Sequence, residues 1–239
     1  MFALTASRQS KRMQVRLAPV LLTALLPLVF LASAAIGAPA LSRAQALQAL
    51  AQAEAPLRRQ AAGRLGEVGV MADTAVLLQA LRDTDAETRA LAEQALWQIW
   101  GRSGDVRVDR LYRSGVAQMK HGDLRQGIST FSRIIGLKPA FAEGWNKRAT
   151  LYFLAGEYAK SLADCAEVIR RNPNHFGALA GYGQIYLKLE DYERSLEYFK
   201  RAVEVNPNME GVWLNIRLLE QLLEQRHKDM VQGLFSFGA

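Results

Sequence analysis

The chain has 239 residues, half of them hydrophobic, with 30 Lys and Arg against 23 Asp and Glu for a formal charge of +7. A single cysteine, Cys165, rules out an internal disulfide framework, so stability has to come from an apolar core, which a chain of this length can bury. His121, His175 and His227 stand far apart with no second ligand at helical spacing, no phosphate-cradling glycine loop follows a strand pattern, and the acids are scattered, so no metal, cofactor or enzyme activity is expected.

At the N-terminus Arg8, Lys11, Arg12 and Arg16 precede a charge-free run from Leu17 to Ala35, and small residues follow at Ala35, Gly37, Ala38 and Ala40. Basic, apolar, small is the order of a secretory signal. Residues 1–37 are therefore predicted as a signal peptide cut after Gly37 or Ala40, which places the mature chain in the periplasm or outside the cell. The competing reading is an uncleaved inner-membrane anchor, since the run approaches the ~20 residues that span a bilayer, although Pro19 and Pro27 interrupt it. Starting at Met13 gives a more compact signal, and Cys165 lies too far along the chain to be a lipoprotein's acylated residue. Without the first 37 residues, four basic residues go and the balance is 26 against 23, or +3. Lys147-Arg148 and Arg170-Arg171 read as solvated helix faces or helix C-terminal charges. No basic patch interleaved with aromatics occurs, so nucleic acid is not an expected partner.

A weak repeat comes next. Arg58, Ala61, Leu65 and Val68 recur 31 residues on as Arg89, Ala92, Leu96 and Ile99, with a helix predicted over 74–82 and Asp83 and Asp85 bracketing a turn. Residues 57–100 resemble the HEAT family of helical repeats, within a segment 41–100. The resemblance implies that turn Asp and helix Arg lie near one another. One and a half units fall short of the ~3 needed for an independent solenoid, so the segment is expected to pack on its neighbour. Trp97 and Trp100, just before a polar linker at 101–107, either make that contact or complete the local helix core.

The C-terminal half has the strongest pattern. Pro139, Pro173 and Pro207 fall 34 residues apart, closing units 108–141, 142–175 and 176–209. Gly115, Ala149 and Gly183 share one column, Tyr152 and Tyr186 a second, and Phe131, Cys165 and Phe199 a third. Proline disfavours helix in the residue before it, so each second helix should stop near Lys138, Asn172 or Asn206. Gly122-Asp123, Gly156-Glu157 and Glu190-Asp191 mark the turn inside each pair. A further helix is predicted over 210–228, with Val212, Trp213, Ile216, Leu219, Leu222 and Leu223 as its apolar stripe, followed by a tail at 229–239. It reads equally as a solenoid cap or as a partial fourth repeat.

These units resemble the tetratricopeptide repeat family, in which an aromatic such as Trp145 opens the first helix, a small residue follows a turn later and proline closes the unit. Gln118, Gly127, Leu111 and Leu179 depart from that pattern. The resemblance implies an all-α fold, a right-handed α-solenoid of three repeats plus a capping helix, whose first helices line a concave groove for a protein or peptide. Its groove-facing offsets select Tyr112, Val116 and Met119, then Asn146, Thr150 and Phe153, then Ala180, Gln184 and Leu187, with Leu214 from the last helix. Asn146, Thr150 and Gln184 would pair a ligand backbone; Val116, Ala180 and Leu214 have the alternative of packing on neighbouring helices. The carboxylate clamp of the family's chaperone cofactors uses Lys and Asn on the first repeat and Lys and Arg on the third, where this chain has Tyr112 and Val116, then Gly177 and Gly181, so an acidic C-terminal tail is not the expected ligand. The expected function is an exported, non-catalytic adaptor in assembly or maintenance of an envelope complex, touching a membrane only if the N-terminal segment is retained. A self-assembling structural protein and an accessory subunit of an enzyme complex are the alternatives.

Overall fold

The structure is a computed structural model that describes residues 40–236; the expected signal segment lies outside the described residues. Among the described residues there are eleven α-helices, one 3-10 turn and no strand. No helix among them is long and apolar enough to cross a membrane.

Four helices, α1 (Arg43–Ala49), α2 (Ala55–Val68), α3 (Thr74–Ala80) and α4 (Ala86–Trp100), make an N-terminal unit. Ser42 and Gln45 form a capping box on α1, and the Asp85 carboxylate accepts from the Thr88 backbone N–H at 2.8 Å to start α4. Of the residues in the 31-residue recurrence, Ala61, Leu65, Ala92 and Leu96 are fully buried and Ile99 nearly so, whereas Val68 is half-buried. Helices α2 and α4 run close at Gly66, where a Cβ would stand 3.2 Å from the Ala95 backbone. Two bidentate pairs tie α2 to the turn before α4: Arg58 to Asp83 at 2.7 and 2.8 Å, and Arg59 to Asp85 at 2.6 and 2.8 Å. The guanidinium groups hold both aspartates below the usual carboxylate range.

Three helix pairs follow: α5 (Val106–Lys120) with α6 (Leu124–Leu137), α7 (Ala142–Leu154) with α8 (Tyr158–Arg171), and α9 (Phe176–Lys188) with α10 (Tyr192–Val205). The linker is shorter than expected, because the Asp105 carboxylate caps α5 by accepting from the N–H groups of Arg107 at 2.8 Å and Val108 at 3.3 Å. Each second helix ends one residue before the position that precedes proline, as the steric rule requires. The turns inside the pairs are alike: Gly122, Gly156 and Glu190 all have positive φ, and the next residue's N–H reaches back to the carbonyl of Gln118, Tyr152 or Tyr186 at 2.8 to 3.0 Å.

Inside each pair the columns fit by volume. A Cβ on Gly115 would fall 2.7 Å from the Phe131 ring, and one on Gly183 would fall 2.5 Å from the Phe199 ring. In the middle pair Ala149 meets Cys165, a methyl gained where a ring is lost. Burial pushes the Cys165 thiol up to about 12, so it is a small buried hydrophobe. Ser161 and Ser195 donate to the carbonyls of Ala149 at 2.7 Å and Gly183 at 2.8 Å. Gly127 holds the equivalent place in the first pair, where a Cβ would stand 2.8 Å from Leu151 of the next repeat.

The first helices α5, α7 and α9 touch one another from repeat to repeat, as the inner helices of such a stack do. The last helix, α11 (Glu210–Ser236), seats Val212, Ile216 and Leu219 on α10. Trp213 stays out of that core, its Nε1 donating to the Pro207 carbonyl at 2.9 Å. α11 runs past 228 because nothing in Asp229 to Gln232 breaks a helix, and i,i+4 pairs carry it on: Glu224 with Lys228 at 2.7 Å and Gln225 with Asp229 at 2.7 Å. Residues 229–236 are thus helix and not a separate tail.

Candidate functional site

α4 crosses the stack along the turns that join one repeat to the next. Just past its C-terminal end, Lys138 donates to the Ser103 carbonyl. At the C-terminal end itself, Trp97 and Trp100 meet the second turn: Trp100 stacks on His175 with centroids 4.5 Å apart, and both indoles lie 5.1 Å from the Phe176 ring. At its N-terminal end, Arg89 donates to Asn208 Oδ1 at 2.9 Å, Asn208 Nδ2 donates to the Leu81 carbonyl at 2.8 Å, and Arg82 donates to the carbonyls of Glu204 and Val205. At ~1.5 Å per residue, α4 is about 22 Å long, and together with Leu81 and Arg82 before it and Ser103 after it acts as a splint over three successive turns. The two tryptophans therefore make the inter-segment contact. The chain has no free hinge at 101–104, since Phe176 shares the core of the N-terminal unit.

A buried polar hub sits beneath the splint. Glu143, 1% exposed, receives hydrogen bonds from Lys147 at 2.9 Å, Asn146 Nδ2 at 3.0 Å and Tyr112 at 3.4 Å, and lies 2.9 Å from His175 Nε2. His175 Nδ1 accepts the Ala178 backbone N–H at 3.1 Å, which leaves the proton on Nε2 to be donated to Glu143. Burial opposes the Glu143 charge, but Lys147 and then His175 outweigh it and hold the carboxyl down at about 2. Lys147 lies 5.6 Å from the Trp97 ring centroid, so the hub also grips α4. Burial and the Glu143 charge push the Tyr112 hydroxyl up.

This arrangement corrects one reading of the sequence. Lys147 and Arg148 are not a solvated pair: Lys147 serves Glu143, and Arg148 makes a bidentate bond to Asp164 at 2.7 and 2.8 Å. Arg170 and Arg171 do stand in the last turn of α8, where Arg171 also packs on the Trp145 ring at 4.7 Å and donates to the Pro139 carbonyl at 2.6 Å. Tyr112 is half-buried like Val116 and Met119 and also belongs to the hub, its ring edge-on to Phe131 at 6.0 Å and Phe141 at 5.7 Å.

The other expected groove residues divide in two. Asn146 and Gln184 are each 7% exposed and Ala180 is buried, so these three present little to a ligand. Asn146 is engaged by Glu143, and Gln184 Nε2 has no hydrogen-bond partner among the described residues. Val116, Met119, Thr150, Phe153 and Leu187 are half-buried, with the Thr150 hydroxyl donating to the Asn146 carbonyl at 3.0 Å, and Leu214 is 38% exposed. An accessible apolar strip therefore remains along the middle and C-terminal ends of α5, α7 and α9 and on α11.

The tetratricopeptide repeat family matches this chain at residues 112–175 and again at 180–209. These residues are tetratricopeptide repeats. A TPR repeat-containing protein of Rhizobium etli is 29% identical over 129 residues, covering 54% of this chain and 63% of that protein. The small glutamine-rich tetratricopeptide repeat-containing protein of Dictyostelium discoideum is 28% identical over 123 residues, covering 51% of this chain and 37% of that protein. The chain thus spans less than two thirds of the length of either relative. Among solved structures, the first TPR domain of Spaghetti (RPAP3) bound to an HSP90 peptide aligns with a TM-score of 0.48 at 21% identity, over 49% of this chain and 93% of that one.

Between the two matched segments Gly177 has a specific use: a Cβ there would fall 2.4 Å from the edge of the Trp97 ring. The column where a carboxylate clamp would need a cation is filled by an indole from the N-terminal unit. Sequence reasoning missed Glu143, Lys147 and His175 as a unit. The i,i+4 spacing of Glu143 and Lys147 was the one local signal; His175 and the tryptophans reach them only through the fold.

Proposed function

We propose that the protein is an exported, non-catalytic adaptor that binds a protein or peptide partner on the concave face of its tetratricopeptide stack and serves the assembly or upkeep of an envelope complex. The observation that carries this reading is the strip formed by Met119, Phe153, Leu187 and Leu214, half-buried or exposed apolar side chains on successive inner helices. A pre-formed, splinted groove loses little entropy on binding, which suits stoichiometric recognition. The basic, apolar and small order of residues 8–40 supports export.

The test is crosslinking in the native host followed by purification, comparing wild type with a Phe153→Ala/Leu214→Ala variant. An envelope protein recovered with wild type and lost with the variant, at unchanged helicity, supports the adaptor. A partner retained by the variant sinks the groove as its binding surface, and recovery of only the chain itself in both moves the weight to self-assembly. Tyr112 is left intact in this test because its ring and hydroxyl belong to the hub.

A further inference from the structure

The 3-10 turn Met71–Asp73 and the start of α3 carry an exposed apolar patch. Val70, Met71 and Val76 are 48%, 52% and 36% exposed, and Ala72 and Ala75 between them are exposed as well. From Val68 to Leu81 the one charged residue is Asp73, and it is buried. By contrast, the exposed Val106 precedes Arg107, Leu137 precedes Lys138, and Leu189 stands between Lys188 and Glu190.

Hydrogen bonds join a basic rim to this patch. Arg43, its side chain 44% exposed, holds both Asp73 oxygens at 2.5 and 2.7 Å, and the same carboxylate accepts the Val70 N–H at 2.8 Å. Arg102, also exposed, donates to the carbonyls of Gly66 at 2.6 Å and Gly69 at 2.7 Å, just before Val70. Glu67, the exposed acid at the end of α2, is offset by Arg64 at 2.5 Å.

The Arg43–Asp73 pair also fixes where the chain enters the fold. Arg43 stands eight residues after Ala35, the end of the charge-free run 17–35, so the covalent chain lets at most about 28 Å separate the patch from that run. The run approaches the ~20 residues that span a bilayer. Whatever holds it brings the patch within that reach, and this continuity selects the occupant.

We infer that the run 17–35 is retained in a bilayer and that the patch lies on the same bilayer, Val70, Met71 and Val76 entering the interface and Arg43 and Arg102 meeting anionic phospholipid headgroups. Apolar side chains flanked by cations suit the boundary between headgroups and acyl chains, and anionic lipid attracts the cations. Two attachments, where one would swivel, hold the N-terminal unit and the stack splinted to it in a single orientation on the membrane. This goes beyond the adaptor reading and uses none of the groove.

The experiment places the full chain in nanodiscs of phosphatidylcholine with phosphatidylglycerol, or of phosphatidylcholine alone, with an environment-sensitive fluorophore on Met71→Cys or on the control Leu189→Cys. Cys165 is buried, so the label goes to the new thiol. With phosphatidylglycerol present, the probe at 71 should shift to the blue and be quenched by nitroxide-labelled lipid severalfold more strongly than the probe at 189. Adding Val70→Asp/Val76→Asp should bring it to the control level at unchanged helicity, and phosphatidylcholine alone should weaken the signal. Equal quenching at the two sites, no dependence on lipid charge, or a signal unmoved by the aspartates overturns the inference. So does recovery from the host of a membrane-free chain cut after Gly37 or Ala40, or a photocrosslinker at 71 that captures a protein in place of lipid. The Phe153→Ala/Leu214→Ala variant should leave the signal unchanged, so this inference and the adaptor reading fail separately.

Discussion

Inside the repeat stack one contact is made three times; across the seam to the N-terminal unit each contact is made once. Gly115 on Phe131, Ala149 on Cys165 and Gly183 on Phe199 are apolar, local and spaced by the 34-residue period. The seam is held by a carboxylate with four polar neighbours, a histidine under an indole, and side chain to backbone bonds across more than a hundred residues. The stack is a sum of similar neighbour terms. The seam is a network in which loss of one member leaves the others buried without partners.

The largest expected effect follows from that difference. Glu143→Ala should cost ~3–5 kcal/mol in urea denaturation, because Lys147, His175, Asn146 and Tyr112 would keep their burial and lose their acceptor. A cost below about 1 kcal/mol would show the seam to be held by its aromatic contacts alone. The same carboxyl gives the seam an acid limit. Its folded value of about 2 lies below its ordinary value of 4.5, so its contribution is complete above the ordinary value and is lost as pH falls toward the folded one. That limb is worth about 3 kcal/mol at most. Glu143→Gln should flatten it, and an unchanged acid profile in that variant would assign the acid sensitivity to Asp83 and Asp85 at the other end of α4.

A middle-sized effect sharpens the description of the stack. Gly183 and Gly181 are neighbours on α9 with different surroundings: a Cβ on Gly183 meets Phe199 at 2.5 Å, whereas one on Gly181 meets Cys165 Sγ at an ordinary 3.6 Å. Gly183→Leu should cost ~1–3 kcal/mol through overpacking, and Gly181→Ala should gain up to ~1 kcal/mol of helix propensity. Thermal melts of the two variants side by side check the repeat frame, since equal shifts would mean that the small-residue column has been placed on the wrong face.

The same contrast explains what was legible in the sequence. Prolines 34 apart, glycine and ring columns, and the paired turns are local or periodic, so helices α5 to α10 could be placed from residues alone. The seam has no period. Gly177 reads as a weak helix position until Trp97, eighty residues earlier, is seen to fill its place. His175 looks like a lone histidine at a repeat junction, and Lys147 like a surface charge; only the fold brings both to Glu143. The groove-facing offsets select Asn146, yet it is buried with its amide on Glu143, while Tyr112 stays half-buried and reaches the same carboxylate with its hydroxyl. Conversely Met119, Phe153 and Leu187 stay half-buried and Leu214 stays exposed.

The smallest effect concerns the turn that departs from its two counterparts. Gly122 and Gly156 adopt φ of +81° and +76° as the residue after the helix cap, and Glu190 adopts φ of +59° at the equivalent place with the same reach-back bonds. A side chain in that region costs ~1–2 kcal/mol, while glycine adds ~0.5–1 kcal/mol of unfolded-state freedom. Glu190→Gly should therefore stabilise the third repeat by up to about 1 kcal/mol, and Gly156→Ala should destabilise the second by a similar amount. Hydrogen exchange of the Asp191 and Glu157 amides reports each turn separately, because each donates the bond that closes its own motif, to Tyr186 at 3.0 Å and to Tyr152 at 2.8 Å. If Glu190→Gly instead speeds exchange at Asp191, the glutamate holds its turn by more than the backbone, and the three turns are not equivalent.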